Sequence, residues 1–380
     1  MESLKRGNPL TTEALAGEVE RGFDESGKLP DRLKRYGFAR ERALINVSEI
    51  EARINALGAS PWSKHLESVK PKVAACGHQL GFKHYYTVGK VRLTSANFCK
   101  NHLLCPLCAI RRGSKTLEAY LKRYEVIHSE NPGLRFSMLN LTVKNGPDLA
   151  ERFQHLKKSL SLMLEWRRKT LSGKAGYHSE FSKIAALVGS IEITKDGALD
   201  GSASGWHPHA HIIVLHSERF DFKDLQAEWL KITGDSHVLK VLDAQHPDDP
   251  AQDFLEVFKY ALKFSELSPS DNLEAYEVMR GKHLLFQAGL FRGVDVPEDL
   301  TDTPLDQLPY IELFYKYIDG SGYNLTETRD SEELEAAPEY LSGYTAPQMD
   351  YRRKSRHFSP FDLFQIPGDI AAKYSKEFQQ

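Results

Sequence analysis

The chain has 380 residues, 41% of them hydrophobic and 27% charged, with a formal net charge of −2, enough for two domains or for one domain with large additions. No 18 uncharged apolar residues run together, and Met1-Glu2-Ser3-Leu4-Lys5-Arg6 leads into no apolar segment, so the sequence predicts a cytoplasmic protein without a membrane span or secretory leader. The near-neutral total hides an asymmetry: residues 76–175 carry 18 Lys+Arg against 6 Asp+Glu, and residues 176–380 carry 19 against 35. A basic block of that size points to a polyanion partner, although solvated helix faces account for part of it.

Residues 1–45 mix charge, Gly and Pro with little periodicity and read as a loosely ordered arm, followed by a short helix around Val47–Leu57. All four cysteines then fall between Cys76 and Cys108: Cys76, Cys99 and the pair in Cys105-Pro106-Leu107-Cys108. Clustered cysteines with a C-x-x-C at one end favour thiolate ligands of a structural zinc over disulfides in a cytosolic chain. His78 and His102 lie close enough in sequence for either to replace a thiol. Arg111, Arg112 and Lys115 follow directly, at the start of a helix to about His128, and suggest a phosphate-contacting surface.

Phe136–Val143 reads as a buried strand closed by Asn145-Gly146-Pro147. Asp148 to Leu171 is predicted as a long amphipathic helix: Leu149, Phe153, Leu156, Leu160, Met163 and Trp166 recur at helical spacing, with Lys157, Lys158, Arg167, Arg168 and Lys169 exposed. A strand over Leu187–Thr194 runs into a Gly- and Ser-rich loop and returns as Gly205–Val214. Further on come a helix near Phe222–Ile232, a strand near His237–Leu242 and a helix across Asp253–Phe264, with an acidic linker over Asp330–Glu339. This order predicts an α+β fold, an antiparallel sheet with helices on one face, of ferredoxin-like type.

The chemistry concentrates in His207-Pro208-His209-Ala210-His211. Alternate residues of a strand share a face, so His209 and His211 project together about 7 Å apart, with Ala210, Ile212 and Val214 turned to the core. A hairpin centred between Asp200 and Gly201 sets Glu192 opposite His209. Two imidazoles and a carboxylate then share a face, a spacing from which one metal ion can be held, whereas an isolated His-x-His most often binds nothing. On the last predicted helix Glu256, Lys259, Tyr260 and Lys263 share a face at i, i+3, i+4, i+7 spacing; alone, such a tyrosine is an ordinary rim residue.

The basic cysteine cluster, Leu139-Asn140-Leu141-Thr142, His207-Pro208-His209-Ala210-His211, Glu256-x-x-x-Tyr260 and Gly289-Leu290-Phe291-Arg292-Gly293-Val294, in this order, resemble the plasmid rolling-circle replication initiators, Rep proteins of the HUH endonuclease class. The resemblance covers roughly Cys76 to Val294. It implies an enzyme that nicks one DNA strand at a plasmid origin, joins the 5′ phosphate to tyrosine and leaves a 3′ hydroxyl. It maps the metal ligands onto Glu192, His209 and His211 and the nucleophile onto Tyr260. Some relatives carry two active tyrosines one turn apart; here Glu256 stands at the first position, which implies the single-tyrosine type.

On that resemblance the chain divides into an N-terminal arm and helix (1–70), a zinc-binding basic module (71–130), a catalytic HUH endonuclease domain (131–298) and an acidic C-terminal extension (299–380). A phenol with a pKa near 10 is a weak nucleophile at neutral pH, so Mn²⁺ or Mg²⁺ at the histidines is expected to polarise the phosphate, the imidazoles favouring Mn²⁺. Lys259 or Lys263 would add charge there, and Glu256 would serve as the base that ends the cycle. Cys76, Cys99, Cys105 and Cys108 are the expected ligands of a structural Zn²⁺. The expected partners are origin DNA, single-stranded or hairpin at the nick, then a host helicase and polymerase, and no membrane. Two rivals remain open: two His and one Glu also describe non-haem Fe(II) oxygenases, and a non-catalytic origin-binding protein would need the zinc region alone.

Overall fold

The computed structural model describes residues 29–196, 205–244, 250–258, 267–305 and 308–330, with the side chains of 196, 255, 256 and 330 left aside. Its elements in chain order are α1 (Leu29–Leu57), α2 (Pro61–Ala75), β1 (Gln79–Tyr85), β2 (Lys90–Ala96), α3 (Pro106–Glu130), β3 (Arg135–Thr142), α4 (Leu149–Leu171), β4 (Ile184–Asp196), β5 (Gly205–His216), α5 (Phe222–Thr233), β6 (Leu239–Asp243), α6 (Pro250–Phe258), α7 (Pro269–Met279), β7 (Leu285–Gly289), β8 (Ile311–Ile318) and β9 (Gly322–Asp330).

Two antiparallel sheets result. The first has the order β6-β3-β5-β4-β7, and the second the order β2-β1-β8-β9. In the first, β3, α4, β4, β5, α5 and β6 follow one another as β-α-β-β-α-β, with the fourth strand beside the first and the third between first and second. The expected hairpin forms in the expected register, Glu192 opposite His209.

Helices cover both faces of this sheet, which corrects the expectation of one covered face. Ile212, Ile213, Val214 and Leu215 are all buried, so β5 is apolar on both sides and each side needs a cover. On one side Leu139, Leu141, Ile191, Ala210, Ile212 and Val214 join a core with Leu156 and Leu160 of α4 and Leu225 and Trp229 of α5. On the other, Met138, Val188, Ile213 and Leu215 pack with Leu117 and Tyr120 of α3 and Phe254, Val257 and Phe258 of α6. Side chains at 188, 190 and 192 of β4 and 209, 211 and 213 of β5 share that second face by strand alternation. Helix α6 therefore caps the histidine face.

Helix α4 follows its sequence pattern. Asp148 caps it by accepting from Glu151 N at 3.0 Å, and Leu149, Phe153, Leu156, Leu160 and Met163 are buried as expected. Arg167 departs from it: instead of facing solvent it is buried and donates from Nε to Ile184 O at 3.1 Å.

The helix expected at Val47–Leu57 begins at Leu29 instead. Leu29, Leu33, Tyr36, Ala39, Ala43 and Ile50 line its buried stripe, and it ends at Gly58, whose positive φ of 60° suits a helix terminus. Arg32 of α1 and Arg111 of α3, 2% and 1% exposed, converge on Asp302 in the segment before β8. The distances are 2.8 Å from Arg32 Nη2 and 2.5 Å from Arg111 Nη2, and Leu93 N of β2 donates to the same carboxylate at 2.6 Å. Burial works against the Asp302 charge, but Arg111 and Arg32 beside it hold the carboxyl well below the usual range.

Asp302→Ala would strand two buried guanidinium groups, and urea denaturation is expected to show a loss of about 3–5 kcal/mol. A depressed carboxyl stabilises the fold above its unfolded pKa near 4 and loses that contribution as pH falls toward the folded value. The stability gap between wild type and Asp302→Asn should therefore shrink in acid; a gap constant from pH 7 to pH 3 would contradict this role.

Candidate functional site

The site is built on paired strands. Strand β5 lies between β3 and β4, so His209 is flanked by Thr142 and Glu192, and His211 by Asn140 and Ser190. Glu192 is 1% exposed, and its Oε2 lies 3.3 Å from His209 Nε2 and 2.8 Å from His211 Nε2. One ligand atom from each of the three residues falls within 4.8 Å of the others.

The ring tautomers follow from the other nitrogens. His209 Nδ1 donates to the His207 carbonyl at 3.1 Å, and His211 Nδ1 donates to Asn140 Oδ1 at 2.8 Å. Each ring thus keeps its proton on Nδ1 and turns the Nε2 lone pair toward Glu192, the arrangement of a metal-ligating histidine. His211 Nε2 is buried and makes no hydrogen bond, despite its short approach to the carboxylate. Burial raises the Glu192 carboxyl, but contacts with His209 and His211 outweigh it and bring it to about 2, so this group is ionised. Lone pairs gathered on a carboxylate call for positive charge between them, and the three residues could hold a metal ion.

Asn140 was carried by the resemblance without a role. Its signal is a polar residue set within the apolar run Met138-Leu139-Asn140-Leu141 of β3, opposite His211. Asn140→Ala removes the acceptor that fixes the His211 ring, and a calorimetric Mn²⁺ titration is expected to show affinity reduced about 10–100-fold. Unchanged affinity would mean the ring is held by packing alone.

Tyr260, Lys259 and Lys263 lie outside the described residues, and so does the side chain of Glu256. The helix that leads to them is placed by aromatic packing: Phe254 meets Tyr124, Phe136 and Phe291, and Phe258 meets Tyr120. Ser190, the strand partner of His211, donates its hydroxyl to Val257 O. The end of α6 is thereby pinned beside the histidine strand.

The second cluster forms where α2 ends and α3 begins. Cys76 is the residue after α2, Cys99 lies in the segment after β2, Cys105 caps α3 and Cys108 sits in its first turn. Sulfur separations are 3.5 Å for Cys76 to Cys108, 3.5 Å for Cys76 to Cys105 and 3.6 Å for Cys99 to Cys108. A disulfide needs about 2.05 Å, whereas four sulfurs around one zinc at about 2.3 Å lie roughly 3.8 Å apart. Cys99 N donates to Cys76 Sγ at 3.3 Å, and Lys100 takes a positive φ of 57° to turn the chain there. The four thiols could hold a metal ion, and neither His78 nor His102 belongs to the group.

The expected phosphate-contacting residues separate. Arg111 is buried, donating to Leu300 O at 2.7 Å and paired with Asp302, which removes it from any DNA surface. The sequence carries no sign of this, because its partner lies far along the chain. Arg112 is half-buried, with Nη1 donating to Pro297 O at 3.0 Å. Lys115 is 8% exposed.

Residues 90–311 match the replication protein family, a stretch that contains the five-stranded sheet with Glu192, His209 and His211. The chain belongs to this family, that of the Rep proteins of plasmid replication which its motifs resemble. It is 31% identical over 185 residues to a protein rep of Bacillus sp, covering 48% of this chain and 54% of that protein. It is 29% identical over 196 residues to a protein rep of Bacillus amyloliquefaciens, covering 51% and 52%. With a protein rep of Streptococcus pneumoniae serotype 2 the identity is 25% over 261 residues, covering 64% and 76%. The chain thus spans about half the length of the first two relatives. No solved structure matches it. Among the described residues no helix is long and apolar enough to cross a membrane.

Proposed function

We propose that the protein initiates rolling-circle replication of a plasmid by nicking one strand at the origin, with Tyr260 as the nucleophile. The observation that carries this reading is the convergence of Glu192, His209 and His211 on one buried face, under the helix that runs toward Tyr260. Val257, tethered to Ser190, precedes Tyr260 by three residues, a length of chain that spans at most about 11 Å. The β-α-β-β-α-β order of the sheet supports a ferredoxin-like catalytic unit of the HUH class over residues 131–298.

Mn²⁺ or Mg²⁺ at Glu192, His209 and His211, with positions left open, would supply charge to the oxygens of the scissile phosphate. Asn140 and the His207 carbonyl keep both imidazoles oriented for that ion. The Tyr260 oxygen attacks phosphorus, the deoxyribose 3′ oxygen leaves and takes a proton, and the 5′ phosphate stays on tyrosine. One phosphoester bond is exchanged for another, so joining can run in reverse. Lys259 and Lys263, beside the tyrosine in sequence, add positive charge, and Glu256, four residues before it, takes the proton in the closing step. The four thiols hold a structural Zn²⁺. The substrate is single-stranded or hairpin origin DNA, and a host helicase and polymerase act after the nick.

The test is to incubate the protein with single-stranded origin DNA and Mn²⁺ and resolve the products on a denaturing gel. A protein-linked DNA band that disappears with a chelator supports the reading. DNA that binds but is never cut or linked would leave a non-catalytic origin-binding protein.

A further inference from the structure

His207 is the first of the three alternating histidines, and Asn145 lies in the turn that closes β3. Neither side chain belongs to the metal-ligating trio, yet the fold joins them beside it. His207 Nδ1 donates to Asn145 Oδ1. The His207 ring stacks on that of His209, with centroids 5.0 Å apart and planes 30° from parallel, while His211 meets His209 edge-on at 4.9 Å and 75°. The backbone next to the Asn145–His207 contact is pinned as well. Gly146 N donates to Trp206 O at 3.2 Å, and Trp206 N donates to Gly146 O at 2.8 Å. Trp206 is 2% exposed and sits in the main core. A Cβ on Gly205 would come 3.1 Å from Gly146 O, so the absence of a side chain there lets the two strands of chain close on each other. Asn145 is therefore carried by a turn that the core holds in place.

Of the two ligand rings, His209 is the less firmly held by its own bonds. His211 Nδ1 has Asn140 Oδ1 at 2.8 Å, whereas His209 Nδ1 reaches the His207 carbonyl at 3.1 Å, and Thr194 Oγ1 donates to that same oxygen at 3.4 Å. Glu192 Oε2 also lies farther from His209 Nε2, at 3.3 Å, than from His211 Nε2, at 2.8 Å. The second torsion of a histidine is broad and roughly two-fold, so a half turn would put Cε1 where Nε2 should meet an ion. A flat ring lying on His209 opposes that turn, provided it cannot itself swing away. We propose that Asn145 and His207 form a latch that holds His209 in its metal-binding orientation, both acting as positioning residues. The segment that ends β3 then sets both imidazoles: Asn140 fixes His211 directly, and Asn145 fixes His209 through His207. The latch rests on the reading of Glu192, His209 and His211 as a metal centre and adds what keeps its first histidine in place.

The experiment is a calorimetric Mn²⁺ titration of the full chain across a double-mutant cycle. Asn145→Ala and His207→Ala should each weaken Mn²⁺ binding about 10-fold, the low end of what a group behind a metal ligand contributes. Because the two residues act as one device, the double variant should bind no more weakly than either single variant. His207→Phe keeps a ring against His209 but loses the bond to Asn145, and should bind as weakly as Asn145→Ala. Thermal melting before Mn²⁺ is added should match wild type, since a purely structural role would lower the melting temperature and leave the affinity alone. If His207→Ala melts early, Asn145→Ala decides the matter, because it lies at an exposed position and leaves every ring in place. Unchanged affinity in the variants, additive losses in the double variant, or wild-type affinity in His207→Phe overturns the latch. Those results, obtained with a wild type that takes up Mn²⁺, leave the metal centre standing; a wild type that takes up none overturns both.

Discussion

Tyr260→Phe is expected to abolish strand cleavage and the covalent DNA adduct while the protein still binds DNA. The substitution removes only the phenol oxygen, so the loss should match removal of a nucleophile, on the order of 10⁴-fold or more. Glu256→Ala should fail differently. It leaves nucleophile and metal ligands in place, so the first nick should survive, while a closing step deprived of its base slows about 10²–10⁴-fold and adducts accumulate. A denaturing gel of the products separates the cases. If Glu256→Ala loses the first nick as completely as Tyr260→Phe, Glu256 is a metal ligand or a structural group and not the terminating base.

The second large effect is expected at the thiols. Cys76, Cys105 and Cys108 are buried within the main hydrophobic core, beside Leu104, Leu107 and Val73, so thiolates left without their ion could be neither hydrated nor paired. They also join the end of α2 to the start of α3, whose terminus favours negative charge. Metal analysis after removal of loosely bound ions should find about one zinc per chain. Stripping it, or Cys108→Ser, should lower stability by several kcal/mol, toward the roughly 10–16 kcal/mol apparent for structural zinc in small peptides. A zinc-free chain with an unchanged melting temperature would contradict this.

Local geometry is what the sequence made readable. The pairing of Glu192 with His209 follows from the centre of a hairpin, and the buried stripe of α4 from helical spacing, because each depends on a single turn or period. Contacts between distant segments were hidden. Arg32, Arg35, Arg40 and Arg42 gave α1 a polar look over a stretch that is buried, since Arg32 pairs with Asp302 and Arg40 donates to Val73 O at 3.0 Å. Arg111 read as a surface cation for the same reason. Strands β8 and β9 lie in the acidic part of the chain, where charge suggested an appendage, yet alternate residues Ile311, Leu313, Tyr315 and Tyr317 face the core. The second covered face of the histidine sheet was hidden for the same reason, because α3 and α6, which lie over it, pack against strands distant in sequence.

The pairing of β1 with β8, from Gln79 opposite Lys316 to His84 opposite Ile311, also sets an order in time. During synthesis β1 and β2 emerge early and the histidine sheet follows, its pairs reaching from Leu139 to Val241 and from Leu187 to Ala288. The strand that completes the other sheet arrives only after all of that chain has passed. Until then one edge of β1 keeps its backbone donors and acceptors open to any other strand, and Arg32 and Arg111 wait without Asp302. The histidine sheet is thus available to a growing chain before its neighbour is sealed, and the interval between the two is where self-association competes with folding.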